Sequence, residues 1–218
     1  DWSLDVDAMK AAIAEARPNL IFHATPNNPT GNRFAPDALE AVVRAAPESL
    51  VVIDEAYVAF AGESLGPWVD RYPNVGVMGT LSKVGLAGLR VGWIRMHPAL
   101  VDEAEKARPP YNLNAYAQVA ATTLLRELPD ALDAQVARIV DERDRLRGAL
   151  EGRGVAVSPS EANFVLARVD DAAAVHAHLL ANGVQVRRFA GDPRLAHHLR
   201  ITVGTPAETD ALLAAWPT

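Results

Sequence analysis

Thr80-Leu81-Ser82-Lys83-Val84-Gly85-Leu86-Ala87-Gly88-Leu89-Arg90 sets a lysine between two hydroxyls and a run of small and apolar residues. The segment 75–78 just before it is short and apolar and reads as a buried strand. Two upstream signals stand in the same relation to a strand. Asn27-Asn28-Pro29-Thr30-Gly31 follows the apolar run 19–24, and Asp54-Glu55-Ala56-Tyr57 closes the β-branched run 50–53. An amide, a carboxylate, a phenol and an amine therefore stand at strand ends. That is where an α/β sheet gathers its chemistry.

Val6, Met9, Ala12 and Ile13 have helical spacing and predict a helix over 5–16. Residues 36–46 form a second, with Pro36 in its first turn. A further strand is expected over 89–95, running back from the lysine loop. Strands alternating with helices at this spacing predict an α/β sheet buried on both faces. Helices are expected over 98–106 and 115–125. The stretch 130–151 is a long charged helix whose length suits a connection between two domains, 1–129 and 130–218. The second block reads as α+β: strands over 163–166, 184–187 and 199–203, helices over 172–181 and 206–216. Asn182-Gly183 is a helix stop.

The chain has 218 residues, half of them hydrophobic, enough for one core and a smaller second one. A net charge of −6 argues against a general nucleic-acid binder. With no cysteine, disulfides and thiolate metal sites are excluded. The apolar stretches fall far short of the roughly 20 residues that span a membrane. The opening residues are neither basic nor followed by an apolar segment, so no signal peptide is expected and a cytoplasmic location is the default. The first residue is Asp1, which reads as a processed or truncated product.

The chemistry-bearing residues each carry two readings. Lys83 is a surface lysine after a strand, or an amine nucleophile in an apolar loop. Asp54 is a helix N-cap, or the partner of a protonated ring nitrogen. Tyr57, one helical turn on, packs or presents its hydroxyl on the same side. Asn28 bonds its own turn, or donates to a ligand oxygen. Arg90, with Thr80 and Ser82, clamps a phosphate or forms an edge salt bridge. Arg200, flanked by Leu199 and Ile201, is a solvent-facing pleat residue or a buried fork for a carboxylate. Arg187 and Arg188 form a second basic point. The six histidines lack metal spacing. Taken together, the three segments suggest a lysine that forms a Schiff base with pyridoxal phosphate.

On these segments, with Gly88-Leu89-Arg90-Val91-Gly92, Asn163-Phe164 and Leu199-Arg200-Ile201-Thr202-Val203-Gly204-Thr205, the chain resembles the fold-type I aminotransferases that use pyridoxal phosphate. Within them it is most similar to the histidinol-phosphate aminotransferase family. The resemblance implies part of a large domain, with a mostly parallel sheet flanked by helices, then a small α+β domain. It implies that Lys83 is the Schiff-base lysine, that Asp54 faces the pyridine nitrogen, and that Asn28 and Tyr57 hold the phenolic oxygen. Thr80, Ser82 and Arg90 would lie near the cofactor phosphate. Arg200 would bind the substrate α-carboxylate and Arg187 the substrate phosphate. The implied partners are a small-molecule amino donor and a 2-oxo acid, with a homodimer in the full-length enzyme and no nucleic acid or membrane. The family's large domain begins well before the equivalent of Asp1 and supplies there a phosphate-cradling loop, an aromatic that stacks on the ring, and early strands. The expectation is therefore a truncated aminotransferase. The alternatives are a related decarboxylase of a phosphorylated amino acid, or a non-catalytic remnant.

Overall fold

The computed structural model describes residues 2–217; Asp1 and Thr218, the outer bounds of the two expected domains, lie outside the described residues. Helix α1 (Val6–Ala16) starts at Asp5, whose carboxylate accepts from the Ala8 amide at 2.9 Å. Strand β1 (Leu20–Ala24) follows, and α2 (Pro36–Ala45) crosses back to β2 (Leu50–Asp54). Two short 3-10 turns, Val58–Phe60 and Gly66–Asp70, lead to β3 (Val75–Thr80). These three strands are parallel, and Ala24, Asp54 and Met78 share one row. Strand β4 (Gly92–Arg95) runs antiparallel on β3, with Gly92 opposite Thr80. The order is β1-β2-β3-β4.

The first core packs Val51, Ile53 and Val75 against Leu39 and Val42 of α2 and against Trp68. Burial on both faces holds for the inner strands but not for the outer ones. On β1, Phe22 is 61% exposed; on β4 all four residues are exposed, with Trp93 at 51%. No described element covers either side chain. The strand expected over 89–95 also starts later, because Ala87–Leu89 form a 3-10 turn and Arg90 adopts left-handed backbone (φ 57°).

Helices α3 (Pro98–Ala107) and α4 (Ala115–Glu127) precede the long α5 (Pro129–Glu151). At 23 residues, α5 is about 35 Å long. Its Val136, Ile139 and Val140 pack against Tyr57, Phe60 and Phe164, while Leu146 and Leu150 enter the second core. One helix thus packs on both halves.

The second sheet contains β5 (Ala156–Ser158), β6 (Phe164–Arg168), β7 (Arg187–Arg188) and β8 (His198–Thr202), in the order β5-β6-β8-β7, all antiparallel. Helices α6 (Ala172–Ala181) and α7 (Pro206–Ala215) accompany it. Val165, Ala167, Leu199 and Ile201 point into a core with Leu146, Leu179 and Leu212. Alternation along the strands places Phe164, Leu166, Arg168, His198 and Arg200 on the opposite face. The strand expected over 184–187 shrinks to Arg187 and Arg188, since only these two pair with β8. Strand β5 was not expected, because three residues carry no legible period. Among the described residues, no helix is long and apolar enough to cross a membrane, and no cluster of metal-ligating side chains occurs.

Candidate active site

The ends of β1, β2 and β3 lie at one level. The Thr25 amide donates to the Asp54 carbonyl, and the Glu55 amide to the Met78 carbonyl, both at 2.9 Å. The three sequence signals therefore leave the sheet from a common edge. In the first loop, Asn27 Nδ2 donates to Thr30 Oγ1 at 2.7 Å, and Thr30 Oγ1 to Asn32 Oδ1 at 2.6 Å. This internal network shapes the turn that presents Asn28.

Asp54 accepts from the Ala56 amide through Oδ1 at 2.9 Å. One oxygen thus shapes its own loop, and the other has no hydrogen bond among the described residues. Tyr57 does not lie one helical turn on; it precedes the 3-10 turn in a non-helical conformation. Its buried ring meets the Phe164 ring edge-on, with centroids 5.2 Å apart. Glu55, assigned no role from sequence, is buried and accepts from Ser64 Oγ at 2.5 Å and from the Leu65 amide at 2.6 Å. It anchors the loop that carries Asp54 and Tyr57.

The chain has three lysines, Lys10, Lys83 and Lys106. Lys10 and Lys106 are exposed, and Lys106 pairs with Glu103 at 2.6 Å. Lys83 alone is half-buried. Its Nζ lies 5.3 Å from the centroid of the Tyr57 ring, and it has no ion pair among the described residues. Gly85, with φ of +90°, supplies the turn that follows it. Thr80 Oγ1 lies 2.9 Å from Ser82 Oγ and accepts from the Ser82 amide at 3.0 Å. Arg90 is exposed; its guanidinium reaches only the Ala87 carbonyl at 3.5 Å, so no hydrogen bond joins it to the two hydroxyls.

The second sheet closes on this edge. Arg200 Nη1 donates to Asn28 Oδ1 at 2.6 Å. The Asn28 amide is thereby oriented, with its oxygen toward Arg200 and Nδ2 left as a donor. Arg200 is half-buried, neither a plain solvent-facing residue nor a fully enclosed one, and its Nε is buried without a hydrogen-bond partner. Arg187 stands directly opposite it across β7 and β8. Like charges in such a pair repel, and neither arginine has an acidic partner among the described residues. Arg187 is exposed, over the Phe189 ring at 5.9 Å. Two uncompensated cations on one sheet face suit an anion. His198 shares that face, and burial together with Arg168 and His197 holds its imidazole below the ordinary value. The sheets are pinned beside Asn28 by the Glu161 amide, which donates to the Gly31 carbonyl at 2.8 Å.

A half-buried lysine thus follows the last of three parallel strands, and Arg200 of the second sheet bonds Asn28 in the loop at the same edge. The chain belongs to the aminotransferase class I and II family, whose model matches residues 1–215. It is 48% identical over 217 residues to histidinol-phosphate aminotransferase 2 of Burkholderia pseudomallei (strain 1710b), covering 99% of this chain and 61% of that relative. The solved structure of histidinol-phosphate aminotransferase from Sinorhizobium meliloti in complex with pyridoxal-5'-phosphate superimposes with a TM-score of 0.87 at 28% identity, covering 97% of this chain and 60% of that one. A decarboxylase from Sulfurospirillum multivorans gives a TM-score of 0.86 at 26% identity, covering 98% and 65%. The chain thus spans about three fifths of the length of the curated relatives it matches.

The side chains present fit pyridoxal phosphate in kind. Lys83 offers an amine without an ionic partner, Asp54 a free carboxylate oxygen, and Asn28 a donor whose direction Arg200 fixes. Arg200 has no acidic partner among the described residues, which leaves its charge uncompensated.

Proposed function

We propose that this chain carries the lysine and substrate-reading part of a pyridoxal-phosphate-dependent aminotransferase that moves the amino group of histidinol phosphate to 2-oxoglutarate in histidine biosynthesis. The observation that carries the reading is the placement of Lys83 Nζ over the Tyr57 ring at the shared strand edge, with Arg200 bonded to Asn28 across it. Residues 1–129 form the cofactor-holding part and residues 130–218 the smaller substrate-contacting part. The whole enzyme acts in the cytoplasm as a homodimer on small-molecule amino donors and 2-oxo acids.

When bound, pyridoxal phosphate supplies an electron-withdrawing ring conjugated to the carbon that carries the transferred nitrogen. Lys83 would hold that carbon, and its amine, when free, would be the base that moves a proton between the reacting carbons. Asp54 keeps the pyridine nitrogen protonated. Asn28 Nδ2 and the Tyr57 hydroxyl hold the phenolic oxygen, and Thr80, Ser82 and Arg90 contribute to the phosphate site. Arg200 receives the carboxylate of glutamate or 2-oxoglutarate. Arg187 receives the phosphate of histidinol phosphate.

The structural likeness to a decarboxylase supports a second reading, loss of carbon dioxide from a phosphorylated amino acid. Product analysis separates the two. Formation of glutamate from 2-oxoglutarate with histidinol phosphate as donor supports transamination. Release of carbon dioxide from a phosphorylated amino acid, without glutamate formation, supports decarboxylation.

A further inference from the structure

Phe164 has no part in the reading above, yet it stands where the two sheets meet. It lies on β6, 1% exposed. The Tyr57 ring meets it at 90° with centroids 5.2 Å apart. The Arg200 guanidinium carbon lies 5.1 Å from the Phe164 ring centroid. The register explains the second contact. Phe164 pairs with Thr202, which makes it a diagonal neighbour of Arg200 on the same face. Its backbone is pinned as well: the Phe164 carbonyl accepts from Ser160 Oγ at 2.6 Å, and that oxygen accepts from the Ala162 amide at 3.1 Å. The side chain of the preceding residue, Asn163, reaches the Lys83 carbonyl at 3.5 Å.

Arg200 is therefore held by two uncharged groups, an aromatic face and an amide oxygen. A carboxylate in their place would neutralise the guanidinium and weaken its pull on an incoming anion. A ring and an amide restrain it while leaving its charge uncompensated. We propose that Phe164 is a positioning residue for substrate recognition: its ring, braced by Tyr57, holds the Arg200 guanidinium in place and uncompensated for the substrate's carboxylate. The inference rests on the proposed role of Arg200 as carboxylate receptor.

The test is calorimetric titration of the cofactor-loaded protein with succinate, a dicarboxylate that cannot react, alongside titration of the cofactor-free protein with pyridoxal phosphate. Phe164→Leu is expected to weaken succinate binding about tenfold, the scale of a partly desolvated cation–π contact, and to leave pyridoxal phosphate affinity as in the wild type. Added to Arg200→Ala, Phe164→Leu is expected to cause no further loss, since its effect runs through the guanidinium. Should Phe164→Leu not fold, Phe164→Met fills similar space without an aromatic face and carries the same expectation. Wild-type succinate affinity in the Phe164 variant overturns the inference, and so does a parallel loss of both ligands. Arg200→Ala separates the two levels. If it binds succinate as the wild type does, the carboxylate role of Arg200 fails and takes this inference with it. If it loses succinate while Phe164→Leu does not, the role of Phe164 alone fails.

Discussion

At the scale of single residues, two carboxylates that are neighbours in sequence meet opposite surroundings. Glu55 is buried and doubly bonded, so it serves the loop; Asp54 keeps an oxygen without a hydrogen bond, so it is available to a ligand. Asp54→Asn should leave the loop's hydrogen bond in place, since the amide oxygen still accepts from Ala56. It should lower turnover by about 10²-fold or more through loss of charge at the ring nitrogen. Near-normal turnover in steady-state assays would return Asp54 to a purely loop-capping role. The two arginines are predicted to separate by substrate. Arg200→Ala should cost about 2–5 kcal/mol in transition-state stabilisation for carboxylate substrates. Arg187→Ala should penalise phosphorylated donors selectively; equal penalties for phosphorylated and unphosphorylated donors would refute its phosphate role. Residue types and their order along the chain single out Lys83, Asp54 and Arg200 in the sequence, and the strand ends place Asp54 and the Lys83 loop at one sheet edge. The Arg200–Asn28 bond was not legible there, because it joins residues 172 positions apart and depends on how the two sheets meet.

At the scale of elements, the turn after β1 is set by one glycine. Gly31 has φ of +80°, and a Cβ there would lie 2.5 Å from Ser160 Oγ. Gly31→Ala should therefore cost about 2 kcal/mol or more, from left-handed strain plus the displaced Ser160. It should also weaken pyridoxal phosphate binding, because Asn28 moves with the turn. Unchanged melting and cofactor affinity would show that the turn does not depend on this contact. On β1, His23 is buried, with Nε2 lacking a hydrogen-bond partner, and burial holds its imidazole below the ordinary 6.5. The unfolded chain therefore binds a proton more readily than the fold. Stability is full above about pH 6.5 and falls as pH drops below it. Melting temperatures between about pH 8 and 5 should show this fall, and His23→Gln should reduce it. An identical pH dependence in the variant would exclude His23 as its source. The strands and helices themselves were largely legible, since period and turn residues mark them. The expectations that failed, at 89–95 and 184–187, lie where a left-handed Arg90 and a strand pairing of only two residues decide the outcome. Neither leaves a periodic trace.

At the scale of the whole molecule, the first sheet ends in two outer strands that carry exposed aromatic residues, Phe22 on β1 and Trp93 on β4. Unpaired strand edges beside apolar side chains are templates for association. These 218 residues alone should self-associate in light scattering, and Phe22→Lys combined with Trp93→Lys should reduce that association. A monodisperse monomer would show that the outer strands need no cover. The hydrophobic pattern foretold strands but not their neighbours, since an apolar run reads the same on an inner strand and on an outer one. Exposure of Phe22 and Trp93 becomes visible only once the sheet order is known.

The proposed function depends above all on Lys83 being the amine that bonds the cofactor. With only Lys10 and Lys106 as other lysines, borohydride reduction in the presence of pyridoxal phosphate, followed by peptide mapping, gives a direct answer. The reduced pyridoxyl label is expected on Lys83 and should be lost in Lys83→Ala. Label on Lys10 or Lys106, with Lys83 unmodified, would contradict that assignment.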